Sequence, residues 1–178
     1  MDFKPYEKSL LMMGVLSVKG LPSLLCERLE KEFGKIAMTT SPIPFDFTDY
    51  YVSEMGEGIE RFFLAFDTLV SPDCLAQVKR LTNEIEMEWA EDGKRRINLD
   101  PGLISESNLI LATTKNRGHR IPIGLSLYGE VTLIYHKKGW QSFEWTYSDY
   151  RSGLVQRVMT EFRELYLEAR RTAAKKQS

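Results

Sequence analysis

The sequence predicts an α+β domain with a mostly antiparallel sheet, and three observations support this prediction. Two apolar runs, residues 9–18 and 61–70, have the composition of strands that are buried on both faces. Helix signals with periodic apolar residues follow each run, which gives the order βαββαβ of a ferredoxin-like layer. A third group of strand-like segments follows this unit. We therefore expect a ferredoxin-like first half that is extended by a β-hairpin and closed by a C-terminal helix.

The elements of the first half have recognisable boundaries. The first helix begins after Gly20 and Pro22 and stops at Gly34. A weaker strand is predicted at residues 36–45, and the aromatic-rich segment 42–58 reads as a long loop. Ser71 is a candidate helix cap, with Pro72 and Asp73 in the first turn of a helix that ends near residue 93. A strand at residues 95–100 completes the unit.

The second half contains a predicted short helix, a hairpin and a long closing helix. The short helix covers residues 107–113, and the hairpin pairs residues 119–123 with residues 130–136. Residues 141–147 are a candidate last strand, and the closing helix begins near residue 152 with its apolar side facing inward. We expect a single domain over residues 1–178, with a core at about residues 8–170 and a frayed tail at residues 171–178.

Composition and charge exclude several classes of protein. The net charge of −1 argues against broad electrostatic binding to nucleic acid. The N-terminal apolar run is too short to span a bilayer, so we predict a cytoplasmic protein with no membrane contact. Cys26 and Cys74 lack metal-ligand spacing and are expected to be buried free thiols, with a disulfide or a reactive thiol as the alternative.

Acidic side chains and a histidine are the candidate catalytic residues. Asp100 and Glu130 lie on predicted strands, and His119 opens the hairpin. If the strands are neighbours, the two carboxylates and the imidazole could meet, with Asn98 beside Asp100. Such a set suits a divalent metal held by Asp100 and Glu130, or proton transfer by His119.

A purely structural interpretation of the same residues is also open. In that interpretation Glu130 pairs with Arg120 across the hairpin, and Asp100 makes a local turn with Pro101 and Gly102.

Three cations and three aromatic residues are candidate ligand-binding residues. Lys115, Arg117 and Arg120 could hold a phosphate or carboxylate, although a solvated loop is the simpler interpretation. Tyr50, Trp145 and Tyr147 could stack on a base or a sugar ring. Alternatively, these aromatic side chains plug the ends of the sheet. The sequence has no GxxxxGK[ST], GxGxxG, GxSxG or HExxH motif, so none of these motif-based nucleotide or catalytic sites is expected.

Several motifs resemble one family. They are NLDPG at residues 98–102, LATTK at 111–115, EVTLIY at 130–135 and WTYSDYR at 145–151. This set resembles the bacterial uncharacterised proteins of domain of unknown function 4416, some of which are labelled GTP-binding proteins. The resemblance covers nearly the whole chain and implies no established activity. Pro122 departs from the pattern and favours an edge strand for the hairpin.

The sequence therefore predicts an uncharacterised protein with a site for a small anionic or nucleotide-like ligand. If the protein is an enzyme, metal-assisted phosphoryl or hydrolytic chemistry fits the candidate residues best. The cofactor is unknown, and a divalent metal is one candidate. The alternative is a non-catalytic module that binds RNA or protein through its aromatic residues. The residue pattern leaves open whether the protein is an enzyme and which oligomeric state it adopts.

Overall fold

A computed structural model describes residues 3–18, 20–45 and 51–176 of the chain. Within those ranges, nine strands form one sheet and five α-helices surround it. The strands are β1 Ser9–Val18, β2 Ile36–Thr39, β3 Ile43–Pro44, β4 Ile59–Val70, β5 Ile97–Ile104, β6 Asn108–Thr113, β7 Ile121–Gly124, β8 Leu127–His136 and β9 Gly139–Ser142. The helices are α1 Ser23–Phe33, α2 Val52–Met55, α3 Leu75–Glu88, α4 Ser148–Arg151 and α5 Gly153–Lys176, and a 3₁₀ turn at Pro72–Cys74 precedes α3.

Every strand pair in the sheet is antiparallel. The strand order is β2-β4-β1-β5-β6-β8-β7, with β3 also pairing with β4 and β9 with β8. The longest strands of the first half, β1 and β4, lie side by side within the sheet, which explains their almost continuous apolar sequences. The predicted α+β class with a mostly antiparallel sheet is confirmed.

Helices cover both faces of the sheet, and the side chains of β1 alternate between the two faces. Leu11, Met13 and Val15 face the cluster that contains the buried leucines of α1 and the inner residues of α3. Leu10 and Met12 face the cluster that contains the inner residues of α5. The sheet is therefore the middle of three layers, because each of its faces is apolar and must be covered.

The structure corrects three expectations for local structure. The segment predicted as a short helix at residues 107–113 is strand β6, because it hydrogen-bonds to β5 on one side and β8 on the other. The expected strand at residues 36–45 is divided into β2 and β3. The candidate last strand at residues 141–147 is wrong in its extent, because β9 covers Gly139–Ser142. Helix α5 continues to Lys176, and the fraying of the tail stays a prediction.

Other boundaries agree with the predictions more closely. Gly34 ends α1 with a φ of 93°, in the left-handed region that glycine adopts without strain. Ser71 precedes the 3₁₀ turn as expected, but its hydroxyl makes no capping hydrogen bond. Pro122 lies in the edge strand β7.

Cys26 and Cys74 are free thiols and half-buried. None of the helices in the described ranges combines the length and the apolar composition that a membrane-spanning helix requires.

Candidate functional site

A gap in the sheet opens into a cavity of the described structure. Strand β5 pairs with β6 only over Gly102–Ile104, while its earlier residues stay paired with β1. Pro101 stands where the pairing with β6 stops, and it has no N–H to continue the ladder. Strand β6 continues beside β8, so β5 and β6 diverge from each other. A cavity of about 690 Å³ is lined by the diverging ends of both strands.

Two side chains of α3 bind the backbone of β5 where β6 no longer does. Lys79 Nζ donates to the carbonyl oxygen of Leu99 at 2.7 Å, and the Leu99 N–H donates to Glu86 Oε1 at 2.7 Å. The Lys79 and Glu86 side chains are buried, and their charges lie 3.8 Å apart. Burial raises the pKa of Glu86, and Lys79 opposes that rise. These contacts satisfy polar backbone groups that would otherwise be unpaired in the interior.

A buried arginine lies on the face of the sheet that is opposite to α1 and α3. Arg61, on β4, places Nη1 3.0 Å from Asp100 Oδ2 and Nη2 2.9 Å from Asp149 Oδ2. Its side chain is only 6% exposed. Gly14 of β1 makes room for it, because a Cβ at that position would stand 3.0 Å from Arg61 Nη1 and 3.2 Å from the Tyr150 hydroxyl. One guanidinium thus joins the acids of two separate segments.

The two acids bound by Arg61 respond differently to their surroundings. Burial would raise the pKa of Asp100, but the charges of Arg61 and Lys79 outweigh burial and lower it. Burial raises the pKa of Asp149, although Arg61 opposes this effect and the nearby charge of Asp100 adds to it. Asp100 is therefore the more firmly ionised member of the pair.

The substitution Asp100→Asn should change how stability depends on pH. Because the pKa of Asp100 is lower in the folded chain than in the unfolded chain, its ionisation stabilises the fold at neutral pH. This stabilisation disappears as the pH falls through the folded-state pKa, below about pH 4. In urea unfolding, the advantage of the wild-type protein over Asp100→Asn should be clear at pH 7 and shrink by pH 3. The exposed Asp92→Asn is the control, and an advantage that is unchanged by pH would contradict the assignment.

Aromatic residues line the cavity beside the charged groups. Tyr51 precedes α2, Tyr147 precedes α4, and Phe45 follows β3. The Phe45 ring centroid lies 5.0 Å from the Arg61 guanidinium carbon, a cation–π distance. Burial raises the pKa of Tyr51 and of Tyr147, so both hydroxyls stay protonated at neutral pH. The cavity wall therefore combines flat apolar surfaces with hydrogen-bond donors.

Four residues that line the cavity have buried polar atoms without hydrogen-bond partners in the described ranges. Three of these atoms are Nε of Arg61, Nδ2 of Asn98 and the hydroxyl oxygen of Tyr150. The fourth is the acceptor Oδ2 of Asp149, which is ion-paired with Arg61 but makes no hydrogen bond of good geometry. The amide of Asn98 lies near enough to Asp100 to lower its pKa, but Nδ2 makes no hydrogen bond of good geometry. A buried donor without a partner is costly and marks a position where an acceptor is expected.

A second polar cluster adjoins the cavity and is centred on Glu130, whose side chain is fully buried. Arg120 Nε donates to Glu130 Oε2 at 2.6 Å, and His119 Nε2 lies 3.2 Å from the same oxygen. The remaining nitrogens of Arg120 bind the Lys115 carbonyl oxygen at 2.7 Å and the Tyr147 hydroxyl oxygen at 2.9 Å. Tyr147 therefore connects the second polar cluster to the cavity, because its side chain also lines the cavity.

Stacked rings lie beside that cluster. The Trp145 ring is parallel to that of His119 at 5.1 Å and to that of Phe143 at 4.7 Å. Its indole N–H donates to the carbonyl oxygen of Val131 at 3.0 Å. Trp145 therefore contributes first of all to the local packing of the segment before α4.

The structure brings together most, but not all, of the residues predicted from sequence. Four of the predicted residues line the cavity: Asn98, Asp100, Lys115 and Tyr147. Four others form or adjoin the second cluster: His119, Arg120, Glu130 and Trp145. Arg117 is exposed in the loop before β7. Tyr50 lies outside the described residues.

The structural interpretation of these residues is correct at one position and wrong at another. Glu130 does pair with Arg120. Asp100 makes no local turn with Pro101 and Gly102, because all three residues lie within β5 and Asp100 binds Arg61.

Sequence reasoning did not identify several charged residues of the cavity, namely Arg61, Lys79, Glu86, Arg95 and Asp149. One available signal was the position of each charged residue in the periodic pattern of its strand or helix. Arg61 occupies an alternating position of an apolar strand that it shares with Phe63 and Ala65, so its side chain had to point into the interior. Lys79 and Glu86 are seven residues apart and so lie on one side of α3, next to its apolar stripe.

The predicted metal site has two acids, each of which has a cation as its partner. Asp100 binds Arg61, and Glu130 binds Arg120. In the part of the chain that the structure describes, no group of three or more His, Cys, Asp or Glu side chains is arranged to hold a metal ion. The metal held by Asp100 and Glu130 stays a prediction.

The fold and the site together define an α+β protein with a charged, tyrosine-lined cavity where an antiparallel sheet divides. The chain belongs to the family described as Domain of unknown function (DUF4416), whose model matches residues 7–166. No curated protein matches the chain, and no solved structure matches it. A function for the cavity must therefore be inferred from its own chemistry.

Proposed function

We propose that the cavity binds a small anionic or nucleotide-like molecule through the acceptor oxygens of that molecule. The observation that carries this proposal is the set of unpartnered buried donors on Arg61, Asn98 and Tyr150. Oxygens of a phosphate, a carboxylate or a carbonyl group would satisfy them. These donors of the cavity are thus suited to a group with several acceptor oxygens.

Size and charge agree with this proposal. The volume of about 690 Å³ lies within the range of roughly 300–1,000 Å³ that is usual for small-molecule sites. Four cationic side chains line the cavity, Arg61, Lys79, Arg95 and Lys115, against three acidic ones, Glu86, Asp100 and Asp149. Phe45, Tyr51 and Tyr147 offer apolar surfaces on which a planar ring can lie.

The proposal concerns binding and assigns no reaction. Metal-assisted phosphoryl or hydrolytic chemistry would need ligands for a divalent ion, and Asp100 and Glu130 are each engaged by an arginine. A binding role needs no rearrangement of these ion pairs. A binding role is also consistent with an enzyme that holds its reactants in the cavity and contributes no reacting side chain of its own.

Binding to RNA or protein is the alternative function. Trp145 and Tyr147, two of the residues that it would use, are 39% and 42% exposed. The indole of Trp145, however, already stacks on two rings of this chain. The small-molecule proposal is therefore better supported.

Thermal-shift measurements test the proposal with inorganic phosphate, GMP and GTP, each with and without Mg²⁺. A ligand at 100 times its Kd should add about 2.7 kcal/mol, or about 5–10 °C in Tm for a chain of this length. Asn98→Ala should weaken this response because it removes an unpartnered donor. The exposed Asn116→Ala should keep the full response.

Two results would overturn the proposal. One is the absence of stabilisation by every compound in the panel, and the other is an equal response of Asn98→Ala and Asn116→Ala. Salt-dependent retention of single-stranded RNA, without stabilisation by any small molecule, would favour the interaction module instead.

We also infer that the first half is a ferredoxin-like unit. The order β2-β4-β1-β5 and the packing of α1 and α3 against the same apolar cluster support this classification.

A further inference from the structure

The hydroxyl group of Tyr147 occupies a special position between the cavity and the second polar cluster. Its oxygen lies 2.9 Å from Arg120 Nη2. A guanidinium has only donors, so the phenol oxygen must be the acceptor in this hydrogen bond. The hydroxyl hydrogen of Tyr147 therefore points to some other group.

Thr113 lies close to the Tyr147 hydroxyl and lowers its pKa, but in the described ranges no hydrogen bond of good geometry joins the two hydroxyl groups. Thr113 Oγ1 itself already accepts the N–H of Lys115 at 3.2 Å. Over the described ranges, no acceptor is bonded to the Tyr147 hydroxyl hydrogen, and the side chain lines the cavity. The hydrogen is thus available to a molecule in the cavity.

The guanidinium of Arg120 is held in one orientation. Its Nε binds Glu130 at 2.6 Å and its Nη1 binds the carbonyl oxygen of Lys115 at 2.7 Å. The Arg120 side chain is 6% exposed and that of Glu130 is 0% exposed, so water does not compete strongly for either group. Rotation of the guanidinium would break all of these contacts, including the one to Tyr147.

His119 supports this arrangement from the other side. Its Nε2 lies 3.2 Å from Glu130 Oε2, and its ring stacks on Trp145. The residues His119, Glu130 and Arg120 therefore form a continuous chain of contacts that ends at the hydroxyl of Tyr147.

We propose that Tyr147 donates a hydrogen bond to an acceptor oxygen of the molecule in the cavity, and that the buried pair of Arg120 and Glu130 positions the Tyr147 hydroxyl for this contact. The donor role rests on the proposed function, whereas the positioning role does not need a ligand. Glu130 and His119, which the sequence suggested as catalytic, act here through Tyr147 and do not touch the ligand.

The positioning role can be measured without a ligand. In protein that carries ¹³C at the tyrosine Cζ, the signal of Tyr147 is identified by its loss in Tyr147→Phe. At a fixed neutral pH, Arg120→Met should shift this signal, because the phenol oxygen loses a charged donor. Arg117→Met removes an exposed cation three residues earlier and should leave the signal unchanged. An unmoved signal in a folded Arg120→Met protein would overturn the positioning role.

The donor role is tested by the affinity for GMP and for inorganic phosphate. Of the two probes, the one that binds the wild-type protein more tightly is used for the comparison. Tyr147→Phe should bind this probe about tenfold more weakly than the wild-type protein does, which is the usual effect of losing one hydrogen bond. Tyr128→Phe, which removes a hydroxyl outside the cavity lining, should bind like the wild-type protein. Equal binding by Tyr147→Phe and the wild-type protein would overturn the donor role and leave the proposed function intact. If neither probe binds the wild-type protein, the donor role falls with the proposed function, and the NMR result still decides the positioning role.

Discussion

Arg61→Met should be among the most destabilising single substitutions in this protein, with a loss of about 3–5 kcal/mol in the free energy of unfolding. The reason is that Asp100 and Asp149, whose side chains are 25% and 4% exposed, would both lose their closest cation. For a chain of this length, the loss corresponds to a decrease in Tm of roughly 6–20 °C. Urea unfolding and calorimetry at pH 7 measure the effect.

Two further variants separate charge from packing in this prediction. Arg80→Met makes the same chemical change at a side chain that is 63% exposed, and it should cost no more than about 0.5 kcal/mol. The triple variant Arg61→Met, Asp100→Asn, Asp149→Asn should recover part of the loss, because no buried charge is left unpaired. If Arg61→Met were no more harmful than Arg80→Met, Arg61 would not organise the cavity.

Glu130→Ala should have a loss of similar size, about 3–5 kcal/mol, because it leaves Arg120 without its buried partner. Glu106→Ala is the matched control, since Glu106 also pairs with an arginine, Arg170 at 2.5 Å, but is 55% exposed. That control should lose less than about 1 kcal/mol in urea unfolding.

A double-mutant cycle tests whether the Glu130 effect arises from the pair. Glu130→Ala and Arg120→Met should each destabilise strongly, and the double variant should lose much less than the sum. Additive losses would show that the two side chains act independently. Both single variants should also alter the ¹³C signal of Tyr147, which links this stability prediction to the positioning role.

The secondary structure of the first half could be predicted because its signals are local. Gly34 stops α1, and Pro72 opens the turn before α3, through conformational preferences that act within a few residues. The strand β6 could not be predicted in this way. Its six residues, Asn108–Thr113, carry no decisive periodicity, and their conformation depends on hydrogen bonds to β5 and β8.

The candidate site was predicted in part. The polar residues Asn98 and Asp100 stand out on a short strand, and alternation places both on one face. Their principal partner, Arg61, is 39 residues from Asp100 in sequence. No local pattern says which of the 24 lysines and arginines reaches that carboxylate. The same holds for Tyr147 and Arg120, which are 27 residues apart.

By itself, the sequence determined the α+β class, the chain order of the first elements and some of the polar residues of the candidate site. These properties follow from periodicity, from the stiffness of proline and from the freedom of glycine, which act over one or two turns of chain. Only the tertiary structure decided that the sheet opens at Pro101 and that Arg61 joins Asp100 to Asp149. Ion pairs and cavities depend on distances between segments that are remote in sequence, and those distances exist only after the layers have packed.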